Sequence, residues 1–313
     1  MAKPYLSIII PVYNESANLE MLFQRLTSAL DSYGKTYELI LINDGSRDNS
    51  EAMLKELHKR RPDVIRVINF NGNFGQHMAV MAGFENARGE IAVTLDADLQ
   101  NPPEEIPKLV AAIEAGHDYV GGIRQMRQDT WFRKNASKLN NVIRERITGI
   151  VMTDQGSMLR AYKRNVIDLM VASKEASAFI PALAYSYSSN PTEIPVAHSA
   201  RAAGESKYSL YKLLRLNFDL MTGFSLVPLQ AFTMLGMVVS VLSTLFFIYM
   251  VIRRLVVGPE AEGLFTLFAI LYLLVGILLM GLGIVGEYIG RIYKEVRKRP
   301  RFVIREILEK NDK

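Results

Sequence analysis

The chain has 313 residues, 49% of them hydrophobic, with no cysteine and a formal net charge of +5. That length supports one large α/β domain plus a further segment, and the missing cysteines exclude disulfides, thiolate metal sites and a cysteine nucleophile. The basic excess is modest and concentrated near the C-terminus, which favours anionic lipid headgroups over nucleic acid as a partner.

Leu6 to Val12 reads as a buried strand. Tyr13-Asn14-Glu15-Ser16 then turns it into a helix from about Ala17 to Tyr33, with Leu19, Leu22, Phe23, Leu26 and Leu30 on one stripe. Tyr37 to Ile42 is a second strand, running into Asn43-Asp44-Gly45-Ser46 and a helix through Lys59. Val64 to Phe70 is a third, and its loop, Asn71 to His77, opens a helix rich in Met and Ala. His77 reads as a packing or hydrogen-bonding residue, because no second histidine or acid lies at metal-ligand spacing. Alternation of strand and helix predicts a parallel sheet with crossovers, so successive strand ends offer their polar groups to one crevice.

The next strand, Ile91 to Leu95, ends abruptly in Asp96-Ala97-Asp98-Leu99-Gln100 and a Pro-Pro helix start. In an extended segment Asp96 and Asp98 share a face that Gln100 continues, an oxygen-rich set suited to a hard divalent cation that also bridges nucleotide phosphates. A strand from Tyr119 to Ile123 follows, ending at Arg124. Residues 127–150 combine Trp131, Phe132 and Leu139 with many basic side chains, as a helix at a membrane surface does, though an ordinary surface helix has the same spacing. Asp154 sits in a Gly-Ser turn, Thr192 to Ala197 suits a late strand, and Arg201 leads into the polar loop Gly204-Glu205-Ser206-Lys207.

The hydrophobic half of the chain follows. Residues 208–231 start as a second interfacial helix, with Lys212 and Arg215 among Leu214, Leu216 and Phe218. No charge occurs between Leu220 and Ile252 or between Gly263 and Gly286, which predicts spanning helices at about 232–252 and 264–285. A short connection makes them a hairpin, and the basic tail 287–313, with Arg291, Lys294 and Arg297 among its cations, is expected in the cytoplasm. The domain 1–207 is then cytoplasmic too, and Leu6 to Val12 is too short an apolar run for a signal peptide.

With these residues in view, the chain resembles family 2 glycosyltransferases of the polyprenyl-phosphate type. The resemblance rests on Pro11-Val12-Tyr13-Asn14-Glu15, Asn43-Asp44-Gly45-Ser46, Leu95 to Pro103, Trp131-Phe132-Arg133-Lys134 and Gly204-Glu205-Ser206-Lys207. It implies a GT-A type nucleotide-sugar-binding domain in a bacterial inner-membrane enzyme that joins a UDP-sugar to undecaprenyl phosphate. By the same resemblance Pro11, Tyr13, Glu15 and Asp44 hold the uridine, and Asp96, Asp98 and Gln100 hold Mg2+ or Mn2+ and the diphosphate. Arg124, Arg133, Ser137 and Arg201 take the acceptor phosphate, the 204–207 loop closes over the site, and the protein is a homo-oligomer, tetrameric in related enzymes. Many members carry Asn-x-Gly-Lys near the third strand, whereas Gln76-His77 follow Gly75 here, so the expected cation is absent at that point. A processive polysaccharide synthase fits less well, because Trp131 is the only tryptophan and lies outside a Gln-x-x-Arg-Trp motif. A non-catalytic flippase subunit is the contrasting class, and the intact acids Asp44, Asp96 and Asp98 argue against it.

Overall fold

The computed structural model describes residues 3–124, 150–154, 156–173, 179–198, 227–258, 263–297 and 300–310. Arg133, Ser137, Arg201, the 204–207 loop and nearly all of both expected interfacial helices lie outside these residues. The described chain divides into two units. One contains the sheet and its helices, including the segment after Arg299, and the other contains the long apolar helices.

Strand β1 (Leu6–Val12) is buried at every position but Pro11. Alternation sends Ile8 and Ile10 to a core shared with helices α1 (Leu19–Tyr33), α2 (Ser50–Arg60) and α4 (Ile106–Glu114). Ile9 points the other way, onto α3 (Gln76–Asn86), where a side chain at Gly83 would stand 2.3 Å from it. Both faces are therefore covered, as continuous apolar strands require. In α1, Leu19, Leu22, Leu26 and Leu30 form the buried stripe, and the helix stops at Gly34, whose left-handed φ of 75° closes the last turn on Leu30.

Strands β2 (Tyr37–Asn43), β3 (Ile65–Phe70) and β4 (Ile91–Thr94) complete a parallel block with β1, and β4 lies on the opposite side of β1 from β2. This makes a topological switch point between β1 and β4, where the loops leaving the two strands diverge and open a crevice. The full sheet has eight strands in the order β7-β5-β6-β4-β1-β2-β3-β8. Strand β5 (Tyr119–Arg124) runs parallel to β7 (Pro191–Val196), while β6 (Arg160–Lys163) is antiparallel to both β4 and β5. Helices α5 (Arg164–Ser173) and α6 (Ile180–Tyr187) pack beside α3.

The segment expected as a basic tail contributes a strand. Residues Ile304–Leu308 form β8, antiparallel on the outer edge of β3. Arg305 pairs with Glu51 at 2.6 Å, and Glu309 accepts from Arg66 and Arg88 at 3.1 and 2.7 Å.

In the second unit, α7 (Val227–Val257) and α8 (Leu264–Val296) are longer than the spans expected from hydropathy. Their large apolar side chains face outward, as at Leu242, Leu255 and Leu278. Among the described residues, Leu273–Gly290 is long and apolar enough to cross a membrane. The two helices touch at Gly281, where a Cβ would meet the Phe232 ring at 2.1 Å.

Candidate active site

The crevice at the switch point is built from loops that hold one another. Asn14 takes a left-handed φ of 57°, and its side-chain oxygen accepts from the Arg47 amide at 2.8 Å. Its own amide donates to Ser46 Oγ at 3.1 Å. The Glu15 amide donates to Ser50 Oγ at 3.1 Å, and Asp48 accepts from the amides of Ser16 and Ser50, both at 3.0 Å. Burial pushes the Asp48 carboxyl up, but these hydrogen bonds from Ser50 and Ser16 outweigh it and hold the group down at about 2. The β1–α1 loop, carrying Tyr13 and Glu15, is thereby fixed to the β2–α2 loop.

Asp44 follows β2 and is almost fully buried. Its two carboxylate oxygens accept the amides of Phe74 at 2.7 Å and Gly75 at 2.9 Å, while its carbonyl accepts from Asn73 at 3.1 Å. Burial raises its proton affinity, and the two amides partly offset that. Asp44, expected to help hold the uridine, thus also shapes the loop before α3. Gly45 next to it has a φ of 67° and lies so close to this loop that a Cβ would meet the Gly72 carbonyl carbon at 2.5 Å.

The acidic stretch departs from the expected geometry. Strand β4 stops at Thr94, and Asp96 to Gln100 form a turn instead of continuing the strand. Leu99 takes a left-handed φ of 63°, and Asp98 Oδ1 accepts the Gln100 amide at 3.1 Å. Alternation of side chains along a strand therefore does not place Gln100 with the two acids. The turn nevertheless keeps Asp96 and Asp98 within each other's field. Asp96 is partly accessible, but protein crowds its carboxylate, and this burial, with the charge of Asp98 added, pushes its pKa up to about 7. Gln76 donates to Asp96 Oδ1 at 2.5 Å, and the charges of Arg124 and Glu15 also reach it. Asp96, Asp98, Glu15 and Arg124, expected in one site, are brought together. Pro11 is the penultimate residue of β1, and Tyr13, just past the strand, is 42% exposed.

Two carboxylates crowded enough to raise a proton affinity suit a divalent cation. Mg2+ in particular is commonly held by one or two carboxylates, with substrate phosphates completing its shell.

Arg124 ends β5 and meets Asp154 in a bidentate pair, Nε to Oδ2 and Nη2 to Oδ1, both at 2.7 Å. Asp154 is in turn set by Arg160, which is fully buried in β6. Arg160 Nη2 donates to the Asp154 carbonyl at 2.5 Å, its Nε to the Ser157 carbonyl at 2.7 Å, and its Nη1 to the Tyr119 hydroxyl. Burial lowers the arginine's proton affinity, but Tyr119 and the other groups around it raise it on balance. His77 packs edge-on against Phe179 at 5.2 Å, and burial, with Arg160 nearby, pushes its pKa down to about 4.

Sequence reasoning missed Asp48, Arg160 and His198. His198 lies just past β7, where the charges of Arg124, Asp154 and Asp98 reach it, and burial, with Arg124 nearby, lowers its proton affinity. Its position after a strand ending at the same edge as β5 was the available signal. Arg160 had none, since a lone arginine in an apolar strand reads as a surface residue.

Residues 7–170, from β1 into α5, match the family described as glycosyl transferase family 2. Undecaprenyl-phosphate 4-deoxy-4-formamido-L-arabinose transferase of Edwardsiella ictaluri is 48% identical over 98% of this chain and 95% of its own length. The protein of the same name from Aeromonas hydrophila is 48% identical over 96% and 93%. A crystal structure of glucosyl-3-phosphoglycerate synthase from Mycobacterium tuberculosis superposes with a TM-score of 0.47 at 17% identity, covering 71% of this chain and 79% of that one. The family match spans the mostly parallel strands β1 to β4, the acids of the crevice and the Arg124–Asp154 pair, and the chain belongs to glycosyl transferase family 2.

Proposed function

We propose that the protein transfers 4-deoxy-4-formamido-L-arabinose from its UDP-sugar to undecaprenyl phosphate, with inversion at the anomeric carbon and with a divalent cation. The observation that carries the choice of sugar and acceptor is the near-full-length identity to two relatives bearing that name. Under this reading the product supplies lipid A modification and resistance to cationic antimicrobial peptides such as polymyxin.

The chemistry asks little of a general base. A phosphate monoester is already anionic near neutral pH, so its oxygen attacks the anomeric carbon as the bond to UDP breaks and the diphosphate leaves with the electron pair. The protein's work is placement and charge management. Asp96 and Asp98 would hold the cation, with Gln100 assigned to the same ion by the family resemblance and not by a shared strand face, and the ion would supply charge stabilisation at the diphosphate. The interlocked loops carrying Tyr13, Glu15 and Asp44 orient the uridine. Arg124, its plane set by Asp154, offers guanidinium N–H groups to the acceptor phosphate, with Arg133, Ser137 and Arg201 assigned to the same anion.

The lipid acceptor requires a site at a membrane. The chain leaves the sheet after β7 and rejoins it at β8, so the segment between starts and ends on one side. An even number of crossings follows for any membrane passage. If α8 spans, as Leu273–Gly290 allows, a second crossing lies between β7 and β8, and the uncharged run of α7 is the segment proposed for it. This supports a hairpin; its place in the bacterial inner membrane, the cytoplasmic side of the catalytic unit and both termini, and assembly as a homo-oligomer belong to the same proposal. The test is to offer purified protein a panel of UDP-sugars with undecaprenyl phosphate. Product with the formamido-arabinose donor and none with UDP-glucose is expected, and the reverse preference would overturn the sugar assignment.

A further inference from the structure

The chain that returns from α8 packs against the loop that shapes the donor side of the crevice. Just before β8, the Phe302 ring stacks on Phe70, with centroids 5.1 Å apart and planes 10° from parallel. Phe70 closes β3 and in turn meets Phe74 edge-on at 5.6 Å and 88°. The carbonyl of Val303 accepts the Asn71 amide at 3.1 Å, and the β3–β8 register shifts at Asn69 and Phe70. Loop 71–75 is thus gripped from two directions. Val303 holds its start at Asn71 and Phe302 reaches it through the Phe70 and Phe74 rings, while Asp44 holds the amides of Phe74 and Gly75. The next residue is Gln76, whose side chain donates to Asp96. An unbroken series of contacts runs from Phe302 through Phe70 and Phe74 to Asp44 and, along the loop, to Asp96.

We propose that Phe302 is a positioning residue of the donor site, fixing the Asn71–Gln76 loop so that Asp44 and Gln76 present a preformed surface to the nucleoside diphosphate. The inference rests on the UDP-donor reading above. Its physical basis is preorganisation. Phe302 does not line the crevice, but the ring pair it completes sets where Phe74 sits, and Phe74 sets the amide that Asp44 holds. A role confined to covering the sheet edge would affect stability alone. A positioning role separates donor from acceptor, because Arg124 and Asp154 belong to β5 and the loop before β6, on the other side of β4.

The experiment uses the full-length protein in neutral detergent, with UDP binding read by calorimetry and initial rates read against each substrate. Phe302→Ala should weaken UDP about tenfold and raise the UDP-sugar KM similarly, as loss of a supporting contact typically does, with the undecaprenyl phosphate KM within about twofold of wild type. Phe302→Tyr, which keeps the stack, should restore both donor values. Phe302→Leu, which keeps the apolar cover but not the ring pair, should show an intermediate donor defect. If Phe302→Leu binds UDP as wild type does, the proposal is overturned, whether or not the alanine variant folds. Equal losses toward both substrates in the leucine variant would also overturn it. Wild-type protein that binds no UDP would overturn the donor reading itself, and this inference with it.

Discussion

Asp98 is the residue on which the proposed chemistry leans most. Asp98→Ala removes one of the two carboxylates proposed to hold the cation at the diphosphate, and activity should fall by about a hundredfold or more while the sheet stays intact. Near wild-type turnover, or turnover indifferent to chelator, would count against the metal assignment. His77 makes a separate prediction. Its folded pKa is pushed down to about 4 from 6.5, so between those values the unfolded chain binds a proton that the folded chain does not. Stability should therefore fall as pH drops from 6.5 toward 4 and level off below, a contribution of at most about 3 kcal/mol. His77→Gln should flatten that part of the stability curve in melts across pH 4 to 7 and leave turnover near wild type; an unchanged slope would place the acid sensitivity elsewhere. The strand-end acids were legible in the sequence because a buried aliphatic run cannot simply continue into Asp96 and Asp98. Asp48 and Arg160 were not, because their partners are fixed by tertiary contacts that no local pattern announces.

The elements explain why some glycines tolerate change and others do not. Gly34 and Gly45 both have left-handed φ values, but a Cβ on Gly34 meets nothing within 4 Å whereas one on Gly45 meets the Gly72 backbone at 2.5 Å. Gly34→Ala should cost about 1 kcal/mol of backbone strain, and Gly45→Ala about 3 kcal/mol once the clash is added, readable as two different drops in melting temperature. Similar drops would mean that the two loops do not pack as described. At this scale β1 to β3, their helices and the end of β5 at Arg124 were readable from hydrophobic period and turn chemistry. The turn at Leu99 was not, since a leucine gives no hint of a left-handed φ. Strand β8 was also hidden. Its neighbours are basic and it follows a long apolar stretch, so Ile304, Glu306 and Leu308 read as tail until their partner strand β3 is seen.

For the whole molecule, placing β7 and β8 in one sheet constrains topology more strongly than hydropathy alone. Because these 313 residues include no cysteine, single introduced cysteines report cleanly on sidedness. Val257→Cys, at the end of α7, should react with a membrane-impermeant maleimide from outside intact cells, and Lys310→Cys should react only after lysis. Labelling of both from the same side would exclude the hairpin. The hydropathy of the second half was legible because a spanning helix needs a long uncharged run, but the return of the chain into the sheet required the structure. The most direct test of the central claim is a reconstituted turnover assay, in which detergent-solubilised protein, undecaprenyl phosphate, Mg2+ or Mn2+ and the UDP-linked formamido-arabinose are incubated and the lipid product is read by mass spectrometry. Undecaprenyl-phosphate-linked sugar that disappears with chelator and in Asp98→Ala is expected. Absence of that glycolipid from folded, UDP-binding wild-type protein would contradict the claim.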